Sequence, residues 1–210
     1  MKNRRRKPNR LQRRSAGRAK KTTILLVVEG EKTEPNYFWG LKQNALADRY
    51  SLTVKEGPGG SPEAVVKEAI KQKRIATNDF DEVWCVLDVE TPDKRDRLDD
   101  AVKLAGQNKI KPCLSNPSFE VWFLAHFEKR ARAYQNCDKV IVQLNKHWQN
   151  HYQQDYQKGD DHLYRRLSPH TQKAIDNARW VRETHHQDKM NTADANSSTE
   201  VYRLVEKLLG

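Results

Sequence analysis

Three acidic residues follow two separate apolar runs of the sequence. Glu29 comes directly after the run Thr23–Val28, and Asp88 comes directly after the run 82–87, with Glu90 two positions further on. In open parallel sheets, ligand-binding residues gather beyond the carboxyl ends of the strands. If the two strands are parallel and adjacent, the three carboxylates meet there and repel one another unless a cation or a proton intervenes. Carboxylate oxygens suit Mg²⁺, with Mn²⁺ as the alternative. The sequence therefore predicts a metal site at this edge of the sheet.

Alternating strands and helices are expected to position these acids. Short apolar or alternating runs predict strands at 23–28, 50–55, 82–87 and 110–114. Helical patterns with capping residues lie between and after them. This order is typical of βαβ units with right-handed crossovers. We therefore predict an α/β fold with a mostly parallel sheet flanked by helices.

Helix starts are predicted from capping residues. These residues are Thr33, Ser61 followed by Pro62, Asn116 followed by Pro117, and a capping box of Ser197 and Glu200. The last of these helices carries an apolar stripe and should dock on the body of the protein.

The chain changes character beyond residue 130, where it becomes polar and helical. Residues 147–170 mix aromatic and charged side chains without a clear period and resemble a long excursion or an insert. The expected organisation is a disordered basic tail at 1–21, an α/β domain at 22–130, and a C-terminal helical extension at 131–210 packed on the same domain.

Positive charge is concentrated at the amino-terminal end. Residues 1–21 hold eleven of the 39 Lys and Arg residues and no acid, which leaves 28 basic residues against 28 acidic ones elsewhere. Such a block is expected to be disordered when free and to bind a polyanion. Nucleic acid is the expected partner, and a solubilising leader is the alternative. The candidate nucleic-acid-binding residues are Arg4, Arg5, Arg6, Arg13 and Arg14 in this block, with Arg165 and Arg166 further on, for which a solvated face is equally plausible.

Composition also limits the expected location. No run approaches the 18–20 or so apolar residues that span a bilayer, and no apolar stretch of signal-peptide type follows the basic start. The three cysteines are odd in number and lack CxxC spacing, which indicates reduced thiols rather than disulfides or zinc ligands. We expect a cytoplasmic protein without membrane contact. The oligomeric state stays open.

Two residues near the middle of the chain have more than one reading. Glu120 begins a helix that is apolar nearly all round, so its carboxylate needs a partner. It either complements the helix dipole or approaches the metal as a fourth catalytic acid, and the sequence favours neither. His126 follows six residues later and is expected to be a core histidine.

Two groups of motifs carry a family resemblance. The segment Val28–Glu34 (VEGEKTE), followed by the DxE of Asp88 and Glu90, resembles the TOPRIM pattern of a Glu-Gly after one strand and DxD after a later one. The segment Asn116–Phe127 and the ending Ser198–Val201 are similar to the RloB-like family. The resemblance implies a TOPRIM-like fold and a metal-dependent nuclease site. It also implies a general acid or base role for Glu29 and metal ligation by Asp88 and Glu90, although Glu90 departs from the usual DxD.

Three functions remain open from the sequence. The first is a Mg²⁺-dependent nuclease that cleaves DNA or RNA, which the resemblance places in a restriction or phage-defence context and which could act with a partner ATPase. The second is a non-catalytic nucleic-acid-binding accessory protein that is anchored by its basic tail. The third is a sensor that binds a phosphorylated small molecule at the same sheet edge.

Overall fold

The computed structural model describes residues 20–76, 80–90, 95–187, 190 and 193–210. Nearly all of the predicted basic tail lies outside the described residues, including Arg4, Arg5, Arg6, Arg13 and Arg14. In the described part of the chain, no helix is long and apolar enough to cross a membrane.

Four parallel strands form the sheet. They are β1 (Thr22–Val28), β2 (Tyr50–Glu56), β3 (Glu82–Asp88) and β4 (Lys111–Ser115). Their order across the sheet is β2-β1-β3-β4, and every neighbouring pair is parallel. The predicted α/β class with a parallel sheet is confirmed, and so is the adjacency of the first and third strands.

Helices connect and follow the strands. They are α1 (Thr33–Asn44), α2 (Pro62–Ile75), α3 (Arg95–Gln107), α4 (Glu120–Ala125), α5 (Cys137–Tyr152), α6 (Leu163–Leu167), α7 (Thr171–Gln187) and α8 (Val201–Leu209), with a 3₁₀ turn at Ser168–His170. They flank the sheet on both sides and continue into the predicted C-terminal helical extension.

The strand β1 lies at the centre of two cores. Ile24, Leu26 and Val28 belong to one buried cluster, and Leu25 and Val27 belong to the other. Successive side chains of a strand point to opposite faces, so a strand that is covered on both faces reads as one continuous apolar run. This is why β1 lacks a polar face.

The two faces of the sheet are covered by different helices. Buried residues of α2 and α3, such as Val66 and Leu98, pack on one face. On the other face, buried residues of α1, α4 and the later helices form one large cluster with the sheet, in which Trp122 and Trp148 are fully buried. The helices beyond residue 130 therefore share the core of the α/β part.

The prediction that residues 147–170 lack a regular pattern is wrong at both ends of the segment, which are helical, whereas 153–162 form no helix or strand. Residues 147–152 belong to α5, whose buried stripe of Val140, Leu144 and Trp148 has a spacing of four residues. Tyr156, beyond the helix, is also buried and lies edge-on to Trp148. The stripe begins at Val140, so its spacing of four residues cannot be recognised in a segment that starts at residue 147.

The predicted helix start at Ser61 is confirmed, and the one at Thr33 is not. The Ser61 hydroxyl accepts a hydrogen bond from the backbone N–H of Ala64, and Pro62 is the first residue of α2. Thr33 does not cap α1: it is already the first helical residue and is buried, and the preceding Lys32 makes no side-chain capping bond.

The predicted starts at Asn116 and Ser197 are also wrong. Helix α4 begins later, at Glu120, because the Asn116 side chain donates to the carbonyl of Ala193 (2.6 Å) and its backbone pairs with residues 197 and 198. No capping box forms with Ser197, since the Glu200 side chain accepts from the Leu114 backbone N–H instead.

The segment 197–200 covers the outer edge of β4. Asn116 N–H donates to the carbonyl of Ser198 (2.9 Å), and Glu200 N–H donates to the carbonyl of Leu114 (2.8 Å). Ser115 and Thr199 form an antiparallel bridge whose hydroxyls lie 2.8 Å apart. The chain therefore adds a short antiparallel piece beside an otherwise parallel sheet.

Candidate functional site

The candidate site lies where the strand order reverses. From β1 the chain passes through α1 to β2 on one side, whereas β3 and β4 lie on the other side. The carboxyl ends of β1 and β3 therefore flank the switch point of this sheet, which is where open α/β sheets bind ligands. Val28 pairs with Val86, so the residues that follow β1 lie beside the end of β3.

An open pocket of about 360 Å³ occupies this position. Acidic residues dominate its wall, together with two lysines, Lys32 and Lys158. The acids are Glu29, Glu31, Glu34, Asp88, Glu90 and Glu120. All four acids predicted from the sequence to be catalytic therefore line one pocket.

Glu29 and Asp88 are joined across the two strand ends. The Glu29 carboxylate accepts a hydrogen bond from the backbone N–H of Asp88, with Oε2 3.1 Å from the nitrogen. One carboxylate oxygen of Asp88, Oδ1, is buried and has no hydrogen-bond partner. A buried oxygen of this kind is costly unless a ligand or a proton satisfies it.

Glu34 was quoted in the sequence motif but had no role assigned to it. Its side chain is 5% exposed, and its Oε1 accepts from the backbone N–H of Gly30 at 3.1 Å. A Cβ atom at Gly30 would collide with the Glu34 carboxyl group. The glycine after β1 therefore leaves room for a buried acid in the first turn of α1.

Glu90 has an unusual backbone conformation. Its φ is +55°, in the left-handed region that few residues other than glycine adopt. Its N–H donates to the carbonyl of Pro117 (2.8 Å), and the N–H of Val89 donates to the carbonyl of Ser115 (2.9 Å). These bonds to the chain after β4 hold Glu90 at the pocket, where the local strain fits a functional constraint.

Glu120 is buried and has several donors around it. Its Oε2 accepts from the Ser118 hydroxyl (2.7 Å) and the Cys137 thiol (3.3 Å), and its Oε1 lies 3.3 Å from Lys158 Nζ. Glu120 is the first residue of α4 and also lines the acidic pocket, so both readings from the sequence stay open.

Burial, together with mutual repulsion, favours protonation of two of the acids. Burial raises the pKa of Glu34 to about 7, and the Glu120 and Glu29 carboxylates add to the rise. The pKa of Asp88 is raised well above its ordinary range by burial, with further repulsion from Glu34 and Glu120. Protons therefore compete with any cation for this pocket.

The carboxylate oxygens of the pocket suit a hard divalent cation, but their side chains are not arranged as a complete set of metal ligands. In the described ranges, no group of three His, Cys, Asp or Glu side chains is arranged to hold a metal ion. A physical reason is that Glu29 and Glu34 accept from backbone N–H groups, and Glu120 faces a lysine. Ligation would require these acids to exchange protein donors for the ion. Asp88 Oδ1 has no hydrogen-bond partner, so it can ligate an ion without giving up a protein donor.

Other predicted residues lie away from the pocket or are already engaged. Arg166 pairs with Asp160 (3.2 Å) and lies over the Tyr152 ring, whereas Arg165 is exposed. His126 is fully buried, as expected for a core histidine. Its Nδ1 donates to the carbonyl of Trp122, and burial lowers its pKa to about 3.

The sequence reasoning missed Glu34, Ser118, Cys137 and Lys158 as site residues. Glu34 carried a signal, because it is an acid in the first turn of a helix that follows Glu29 and Gly30. Lys158 carried none, since it follows α5 and reaches the pocket only through the tertiary fold.

Most of the chain matches one known protein family. The model of the RloB-like protein family matches residues 24–208. No curated protein and no solved structure gave a match. The match covers all of the strands and helices except the first two residues of β1 and the last residue of α8.

Proposed function

This chain belongs to the RloB-like protein family, and we propose that it is a Mg²⁺-dependent nuclease that cleaves phosphodiester bonds of DNA or RNA at the acidic pocket. The observation that carries the proposal is the convergence of Glu29, Asp88, Glu90 and Glu120 on one pocket at the switch point of the sheet. A pocket that is lined mainly by acids repels phosphate on its own, so this reading includes a cation.

The residues proposed to hold the ion are Glu29, Asp88 and Glu90, with Mn²⁺ as an alternative to Mg²⁺. When bound, the ion would neutralise charge on the scissile phosphate and lower the pKa of a water molecule. The chain supplies the remaining functions. The pKa of Glu34, which burial raises to about 7, lets this side chain exchange protons near neutral pH, as a general acid or base must.

The test is cleavage by the purified full chain with single-stranded and double-stranded DNA and RNA in Mg²⁺ or Mn²⁺. We expect cleavage that EDTA abolishes. Glu29→Gln and Asp88→Asn should each lower the rate by at least about a hundredfold, the lower range for loss of an electrostatic or acid-base group.

The matched control is Glu183→Gln on α7, which changes an exposed acid far along the chain and should cleave as the wild type does. Thermal unfolding of each variant separates loss of function from loss of fold. Full activity in both pocket variants, with intact folding, would contradict the proposal.

A second candidate is a non-catalytic nucleic-acid-binding accessory protein. It is favoured by the eleven Lys and Arg residues in 1–21. Calorimetry distinguishes the two: absence of Mg²⁺ binding at millimolar metal, together with salt-sensitive binding of nucleic acid that deletion of 1–21 removes, supports the accessory function.

We also propose a role in defence against phage, acting with or without a partner ATPase. This extends the nuclease proposal and is supported by family membership alone. The expected result is that cells expressing the protein with its neighbouring genes plate phage less efficiently than cells carrying Asp88→Asn.

A further inference from the structure

We infer that Lys158 is a phosphate-binding residue of the acidic pocket, whose ammonium group moves from Glu120 to a phosphate oxygen of the nucleic-acid backbone when substrate enters. The inference rests on the proposed function and names a residue that the strand-end motifs do not contain. It assigns part of the site to the C-terminal helical extension.

A tight turn presents Lys158 to the pocket. Asp160 N–H donates to the carbonyl of Gln157 (3.3 Å), which places Lys158 and Gly159 at the centre of a reverse turn. Gly159 has φ +81°, and a turn with positive φ at its third residue favours glycine there. A Cβ at Gly159 would also lie 3.0 Å from the Cβ of Lys32, another residue of the pocket wall.

The turn is fastened to the α/β part of the protein. The Asn36 side chain, in α1, donates to the carbonyl of Gly159 (2.9 Å) and to the Asp161 carboxylate (2.8 Å). On the preceding side, Tyr156 is buried, and its N–H donates to the Asn145 side chain (2.8 Å). The backbone at residue 158 is therefore held in place beside the first turn of α1.

The side chain of Lys158 spans the distance from solvent to the buried acid. It is 58% exposed, whereas the Glu120 side chain is 5% exposed. Its Nζ lies 3.3 Å from Glu120 Oε1 and 3.5 Å from Cys137 Sγ. A lysine ammonium group has three donors, so a third remains for water or a ligand. The positive charge thus lies at the open side of a pocket whose depth is acidic.

The Glu120 carboxylate keeps two hydrogen-bond donors when Lys158 moves away. The Ser118 hydroxyl and the Cys137 thiol both donate to Glu120 Oε2, and these bonds do not involve the lysine. A phosphodiester that enters this pocket meets many carboxylates and few cations, so an ammonium group at its mouth is the natural first contact.

The experiment measures binding separately from cleavage. The full chain is titrated with a single-stranded oligonucleotide, as DNA and as RNA, with Ca²⁺ in place of Mg²⁺ and over a series of salt concentrations. Lys158→Ala should reduce the slope of log K against log salt by about 0.7, the value for one phosphate contact on a single strand. Lys158→Arg should restore the slope because it keeps the charge.

The matched control is Lys146→Ala, which removes an equal charge from an exposed position on α5 and should keep the wild-type slope. A Lys158→Ala slope equal to that of this control would overturn the inference, whatever the melting temperatures show. Failure of the wild-type chain to bind either oligonucleotide would also overturn it. A reduced slope in a protein that cleaves nothing with Mg²⁺ would support the phosphate contact and contradict the nuclease proposal.

Discussion

Replacing Glu34 with Gln should stabilise the metal-free protein at alkaline pH. The pKa of Glu34 rises from an ordinary value of 4.5 to about 7 because the side chain is buried and lies near Glu120 and Glu29. The unfolded chain ionises at the lower pH, so the folded state loses stability as the pH rises from about 4.5 through about 7. At about 1.4 kcal/mol per pKa unit, the loss is about 3 kcal/mol at pH 8.

Glutamine keeps the shape of the side chain and can still accept from Gly30 N–H, but it carries no charge. The free energy of unfolding of Glu34→Gln, relative to wild type, should therefore increase by about 3 kcal/mol between pH 4 and pH 8. In a chain of this size the gain corresponds to about 10 °C in melting temperature.

The assay is urea unfolding of both proteins in EDTA at several pH values, with circular dichroism as the signal. Any effect of the amide that does not depend on pH cancels in the comparison. Glu183→Gln is the control, because this exposed acid on α7 should leave the pH dependence of stability unchanged. A Glu34→Gln profile that runs parallel to the wild-type profile at every pH would contradict a raised pKa for Glu34.

The remaining predictions concern the metal, the core and the turn. Mg²⁺ at a hundred times its dissociation constant should stabilise the wild type by about 2.7 kcal/mol, as thermal unfolding measures. The affinity for Mg²⁺ should rise with pH because protons compete with the ion at Asp88, whose pKa is raised by burial, and calorimetry at several pH values checks this. Trp148→Ala should destabilise the whole chain in a single unfolding transition by about 3–5 kcal/mol, since this side chain is fully buried in the shared core; two separate transitions in urea would contradict it. Gly159→Ala should cost about 1–2 kcal/mol and weaken oligonucleotide binding, whereas the exposed Gly106→Ala on α3 should do neither.

The sheet and the centre of the site were predictable because their signals are local. The run at β1 is apolar at nearly every position, which only a strand covered on both faces requires. The strand-end rule then placed Glu29 and Asp88 together, and the pairing of β1 with β3 confirms their adjacency.

The parts that were not predictable depend on tertiary contacts. Asn116 resembles a helix cap in sequence, but its side chain and backbone bond to the chain around Ala193 and Ser198. Lys158 lies in a polar stretch like many others, and its turn reaches the pocket through bonds to distant residues such as Asn36. Spacing along the chain does not show which distant residues become partners in the fold.

The carboxyl-terminal segment that lies along β4 also affects how this protein meets its neighbours. An outer strand offers unpaired backbone groups to any passing chain, and the residues around Thr199 occupy those of β4. A chain truncated at residue 196 would expose a strand with buried Cys113 and Leu114 to intermolecular pairing. Residues 197–200 therefore protect this edge of the sheet against pairing with another chain, and β2 is the opposite edge strand.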